Sequence, residues 1–133
     1  MGQRNEDALR RLELQVAQSR MESRLAQQHI DAFVARARRQ GLPTVRLAAG
    51  LLGSGAKVRT DRKGWYIRAN HSVAVGTDGS FFVLTVPGGW RERLTGVRLK
   101  PQPPPLIVAR GGRDGESGEL VAFLERTLVE GPW

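Results

Sequence analysis

VAVGTDGSFFVLTV, residues 73 to 86, sets two apolar runs around Asp78-Gly79. Asp-Gly between alternating apolar residues is a strong short-range hairpin signal, because glycine accepts the positive φ that a tight turn demands. A two-residue turn there pairs Thr77 with Ser80 and Val75 with Phe82. That register places Val73, Val75, Phe82, Leu84 and Val86 on one face, the expected core. Ala74, Gly76, Phe81, Val83 and Thr85 take the other face, which is itself apolar enough to need a helix or a second subunit over it.

Working outward, Trp65-Tyr66-Ile67-Arg68 reads as a preceding strand, with a turn at Ala69-Asn70-His71. Downstream come a turn at Pro87-Gly88-Gly89, a helical turn over Trp90–Leu94 and a short strand over Val97–Lys100. PQPPP, residues 101 to 105, must be extended, since proline fixes φ and lacks a donor. Leu106–Ala109 reads as a buried strand. After the loop RGGRDGESG a final helix runs from about Ser117 to Val129, its Leu120, Val121, Leu124 and Leu128 forming the face that lies on the sheet.

Residues 6 to about 39 carry the clearest periodicity. Leu9, Leu12, Val16, Ser19, Ser23, Ala26, Ile30, Phe33 and Ala37 recur at 3-4 spacing, and Gly41-Leu42-Pro43 closes the helix. Such a helix is longer than a globule built from the remaining residues is wide, so it must overhang. Leu9, Leu12, Val16, Ile30 and Phe33 are the expected self-association contacts, weakened in the middle by the small Ser19, Ser23 and Ala26; the alternative is a helix folded back on its own sheet. Leu14, Met21 and Leu25 form a second face. Residues 41 to 64 lack clear periodicity and contain Gly50, Gly53, Gly55 and Gly64 after the closing Gly41; they are expected as a basic linker or loosely held loop with a short apolar piece at Val45–Leu52.

The chain has 133 residues and a net charge of +8. No cysteine is present, which removes disulfide, thiol and thiolate-metal chemistry and suits a cytoplasmic setting. No apolar run approaches the ~20 residues of a membrane span. Arginine far outnumbers lysine, a bias that genome composition alone can produce, so position carries more than type. Residues 32 to 68 contain nine basic side chains and one acid, Asp61, an excess that equals the net charge of the whole chain. A concentration this local points to a polyanion or an acidic protein partner. Arg59, Arg62 and Lys63 run into Trp65, Tyr66 and Arg68, and cations beside aromatic rings suit single-stranded nucleic acid. Strand alternation turns Tyr66 and Arg68 outward and Trp65 into the core.

Other motifs dissolve on inspection. GLLGSGAK, residues 50 to 57, lacks the adjacent Gly-Lys-Ser/Thr of a nucleotide loop, and Val58 stands where a magnesium-binding hydroxyl is needed. RGGRDGESGEL, residues 110 to 120, opens a helix, but Asp114, Glu116 and Glu119 would repel an anion and serve the helix dipole instead. RLKPQPP, residues 98 to 104, is a minimal proline-ligand spelling read as a rigid connector. His29 and His71 have no ligand-spaced partners.

These readings converge on an α+β chain: a helical arm over 1–40, a linker over 41–64, and a domain over 65–133 with an antiparallel meander of about four strands and a packed C-terminal helix. The expected function is non-catalytic and without cofactor or metal: self-association through the helix, and nucleic-acid binding of weak sequence preference through Arg36, Arg38, Arg39, Arg59, Arg62, Lys63, Tyr66 and Arg68. The competing expectations are a protein–protein adaptor in a larger assembly and a small enzyme or enzyme accessory subunit.

Overall fold

The hairpin at Asp78-Gly79 forms, but one residue out of the register expected for it. In the computed structural model, which describes residues 2–108 and 117–133, strand β3 (Val73–Gly76) pairs with β4 (Phe81–Val83) so that Val75 faces Phe81 and Ala74 faces Phe82. Gly76 N–H donates to the Ser80 carbonyl at 2.8 Å, which leaves Thr77, Asp78 and Gly79 as a three-residue loop. Gly79 takes φ of 86°, the left-handed residue that a three-residue hairpin loop calls for. The slip exchanges the faces of the second strand. Phe81, not Phe82, joins Val73 and Val75 in one core, while Phe82 and Leu84 join Ala74 in another.

The stretch expected as a linker is folded. Residues 45–51 form β1 (Val45–Leu51), and β2 (Lys57–Tyr66) is a ten-residue strand antiparallel to it, joined by a turn through Gly53 and Gly55 at positive φ. Apolar alternation is present here after all: Leu47, Ala49, Leu51 and Val58 are buried. Interleaved arginines and glycines obscure it in the sequence.

The sheet order is β4-β3-β2-β1-β5, with β5 (Thr85–Val86) parallel to β1 and the other pairs antiparallel. The sheet is therefore mixed and larger than the expected meander. Its two outer strands, β4 and β5, are the two ends of one segment interrupted only at Leu84. Leu84 N–H donates to the Ser72 carbonyl at 2.9 Å, and the Leu84 carbonyl accepts from Gly50 N–H at 2.7 Å. The sheet thus closes on itself as a small barrel, which removes the open edges that invite aggregation. Leu47, Ala49, Leu51, Val58, Tyr66, Ala74, Phe82 and Leu84 share the interior core.

The outer face is covered on one half only. Helix α1 (Gly2–Gln40) lays Ala26, Ile30, Phe33, Val34 and Ala37 against Trp65, Ile67, Val73, Val75 and Phe81, joined by Leu120, Leu124 and Leu128 of α3 (Leu120–Glu130). Phe33 meets Trp65 edge-on at 5.5 Å, and the Trp65 indole N–H donates to the Leu42 carbonyl. Burying side chains such as Ile30 and Phe33 stabilises by roughly 1.5–3 kcal/mol each. They therefore serve the chain's own core and not self-association, which corrects that part of the expected stripe. Gly2 through Met21 are all exposed, so the helix overhangs by about 30 Å.

The described remainder comprises a short helix α2 (Trp90–Thr95), a two-strand ribbon of β6 (Ile107–Val108) and β7 (Gly118–Glu119), and α3, which begins three residues later than expected. Most of the RGGRDGESG loop, with the capping role expected of Asp114 and Glu116, lies outside the described residues.

Barrel curvature depends on close approach at Gly64, where an added Cβ would lie 2.1 Å from the Val75 carbonyl oxygen. Gly64→Ala is expected to lower stability by more than about 4 kcal/mol. Gly55→Ala, at φ of 70° with open space around it, should cost only about 1 kcal/mol. Urea unfolding of the two variants measures the difference.

Candidate nucleic-acid interface

Alternation along β2 separates two kinds of basic residue. Its even positions turn into the barrel: Val58 and Thr60 are buried, and Arg62 follows them inward. The Arg62 guanidinium lies 5.4 Å from the centre of the Phe82 ring, 3.7 Å from Asp78 Oδ2 and 4.0 Å from Asp61 Oδ1. It closes the barrel mouth and is not a free surface cation. Asp78 is held below the ordinary carboxyl value of 3.8. Partial burial, which by itself raises the value, is outweighed by the Ser80 N–H and hydroxyl and by the Arg62 charge.

The odd positions Lys57, Arg59, Asp61 and Lys63 point out of the barrel and are exposed. At Trp65 and Ile67 the same outer row passes beneath α1 and α3. The basic stripe is therefore the half of the outer sheet that neither α1 nor α3 covers. Beside it, β1 contributes Arg46, cross-strand from Lys63 and bonded through its guanidinium to the Thr60 carbonyl at 3.2 Å.

A bulge sharpens the feature. Between Arg46 and Ala48 the register shifts, so residues 60 to 62 of β2 oppose Leu47 alone. Thr60 holds the bulge by donating its hydroxyl to the Leu47 carbonyl and accepting the Arg62 N–H. Backbone groups freed from β1 are taken up by Val97, which donates to the Arg59 carbonyl and accepts from Asp61 N–H. This returning segment follows α2, whose first turn is held by the Glu92 carboxylate accepting Gly89 N–H at 2.7 Å. That bond lowers the carboxyl's affinity for protons.

The result is a cleft of about 760 Å³ between the outer face of the β1–β2 hairpin and residues 93–98. Arg46, Lys57, Arg59, Arg93 and Arg98 line it, against the single acid Asp61. Asp61 is already engaged, accepting Leu99 N–H at 2.9 Å. Among the described residues Asp61 is the only acid lining the cleft, against five exposed cations, an arrangement suited to a ligand bearing several negative charges.

The expected site residues divide. Arg59 lies in the cleft and Lys63 beside it. Arg38 donates to the Thr77 carbonyl, and Thr77 N–H donates to the Lys63 carbonyl, so the end of α1 joins the basic track through one residue. Arg39 is exposed in the same helical turn. Arg36 instead turns to α3, paired with Glu125 at 3.0 Å.

Tyr66 and Arg68 correct the expected outward face. Tyr66 is 7% exposed; its hydroxyl accepts Ala48 N–H at 2.8 Å, and its ring stacks on His71 at 3.8 Å. Arg68 is 4% exposed and lies over the Phe123 ring at 5.5 Å. Both residues are held within the fold, and neither is presented to a polymer. Trp65 is core, as alternation required. Sequence reasoning left out Arg93 and Arg98, which are distant in the chain and reach the cleft only through the Val97 pairing. It counted Arg46 and Lys57 in the charge cluster without assigning them to the site.

No group of three or more metal-binding side chains occurs among the described residues. No described helix is long and apolar enough to cross a membrane. Comparison with protein-family models, with curated proteins and with solved structures finds no match to this chain.

Tyr66→Phe should cost about 1–3 kcal/mol, because Ala48 N–H then loses its partner; urea unfolding reads it. The depressed Asp78 value means that its contribution is present above the unfolded-state pKa and is lost as pH falls through the lower folded value. Asp78→Asn is therefore expected to flatten the acid limb of the stability profile below about pH 4.

Proposed function

We propose that the protein is a non-catalytic binding protein that self-associates through α1 and grips nucleic acid in the basic cleft. The observation that carries this reading is the half of the barrel's outer face left free by α1 and α3, where Arg46, Lys57, Arg59, Arg93 and Arg98 face, among the described residues, a single, already bonded acid. Lys63, Arg38 and Arg39 extend the track toward the helix.

The mechanism is phosphate neutralisation with release of bound counterions. Sequence preference is weak, because the described cleft offers cations and a sheet face but no recognition helix aimed at base edges. Aromatic stacking by Tyr66 has no part in it, since that ring belongs to the barrel interior.

Mobility-shift titration against short DNA and RNA at several salt concentrations tests the reading. Engagement of the five lining cations predicts a log–log salt slope of about −3.5 for single strands. Arg59→Ala and Arg98→Ala should each weaken binding similarly across sequences and make the slope shallower by about 0.7, whereas Arg36→Ala should leave it unchanged. Failure to retard any nucleic acid at low salt rejects the reading and leaves an adaptor that docks on proteins.

A further inference from the structure

The overhanging half of α1 is divided by size. Leu9, Leu12 and Val16 lie on one face of its first half, 59%, 58% and 45% exposed. Further along that face Ser19 and Ser23 leave a depression, walled by Pro103 and Pro104 of the extended proline segment. The segment is tied to the helix where Leu106 N–H donates to the Glu22 carboxylate at 3.0 Å. A groove of about 660 Å³ therefore begins where the large residues end.

We propose that this groove receives the overhanging part of α1 from a second copy of the chain, running antiparallel. The inference rests on the self-association reading above and specifies its geometry. Centred near Ala17 and Gln18, an antiparallel pair brings Leu9 and Leu12 of each copy against Ser23, Gln27 and the prolines of the other, so large residues fill the space left by small ones. Charge agrees with size. Glu13 and Arg20 lie seven residues apart along the same edge of the seam, so in this register each Glu13 meets an Arg20 of the second copy, twice per dimer.

A parallel pair lacks both features, because large residues would meet large and small meet small, and Glu13 would face Ala8 of the other copy and no arginine. It is also obstructed. From Ala26 onward the seam is occupied by the chain's own barrel, and a parallel partner would bring a second barrel to the same place. Antiparallel pairing sends the two barrels to opposite ends of a shared rod, each with its basic cleft.

The chain has no cysteine, which makes cross-linking a direct test. Leu12→Cys mixed with Ser23→Cys is expected to give a mixed disulfide dimer. Leu12→Cys alone should give none, since two copies of residue 12 lie about 16 Å apart along the rod, too far for a disulfide. Both sites are outside the packed core, and circular dichroism verifies that each variant folds. In sedimentation of the otherwise unchanged chain, Glu13→Lys or Arg20→Glu should weaken the dimer about tenfold, and the double exchange should restore it. Ready cross-linking of Leu12→Cys with itself overturns the antiparallel arrangement while leaving self-association standing. Sedimentation as a monomer at every concentration overturns both.

Discussion

Closure of the barrel through Leu84 is the constraint on which the other features depend. One residue's backbone bonds at once to Ser72 beside β3 and to Gly50 in β1, so a single segment, Phe81–Val86, serves as both outer strands. Closure requires tight curvature, and the chain provides it where side chains are missing. At Gly64 the facing strand approaches closely enough to exclude a Cβ, and at Gly76 the Phe82 ring occupies that space. With the sheet closed, its inner face needs no external cover, and α1 and α3 are left for the outer face alone.

The cleft follows from this division. Two helices cover the outer row where it reads Trp65 and Ile67, and leave it bare where it reads Lys57, Arg59, Asp61 and Lys63. One strand is thus apolar-outward at one end and cationic-outward at the other. The bulge at Leu47 frees backbone groups that recruit Val97, and with it come Arg93 and Arg98. A structural repair of the hydrogen-bond ladder therefore also builds the second wall of the cleft.

Sequence patterns conveyed unevenly what folding does. The long helix was legible because nine positions repeat at helical spacing without proline or glycine, and the mixed α and β character with a packed final helix was legible for the same kind of reason. The hairpin's existence was legible in Asp78-Gly79, but its loop length was not: two-residue and three-residue loops both use glycine there, and one residue decides which phenylalanine is core. Of β2 only the end at Trp65 and Tyr66 was legible as a strand, and of β1 only a short apolar piece, because a barrel strand shows only alternate residues inward and the outward ones here are mostly charged or small.

Local spacing by itself determined that α1 forms, that it outreaches its domain, and that positive charge gathers between residues 32 and 68. Only tertiary structure decided which of those charges are available. Arg62 is drawn over Phe82, Arg68 over Phe123 and Arg36 to Glu125, each through a partner distant in sequence, while Arg93 and Arg98 arrive by strand pairing. The physical reason is that helix periodicity is a short-range property, whereas the exposure of a charge depends on every element that packs around it.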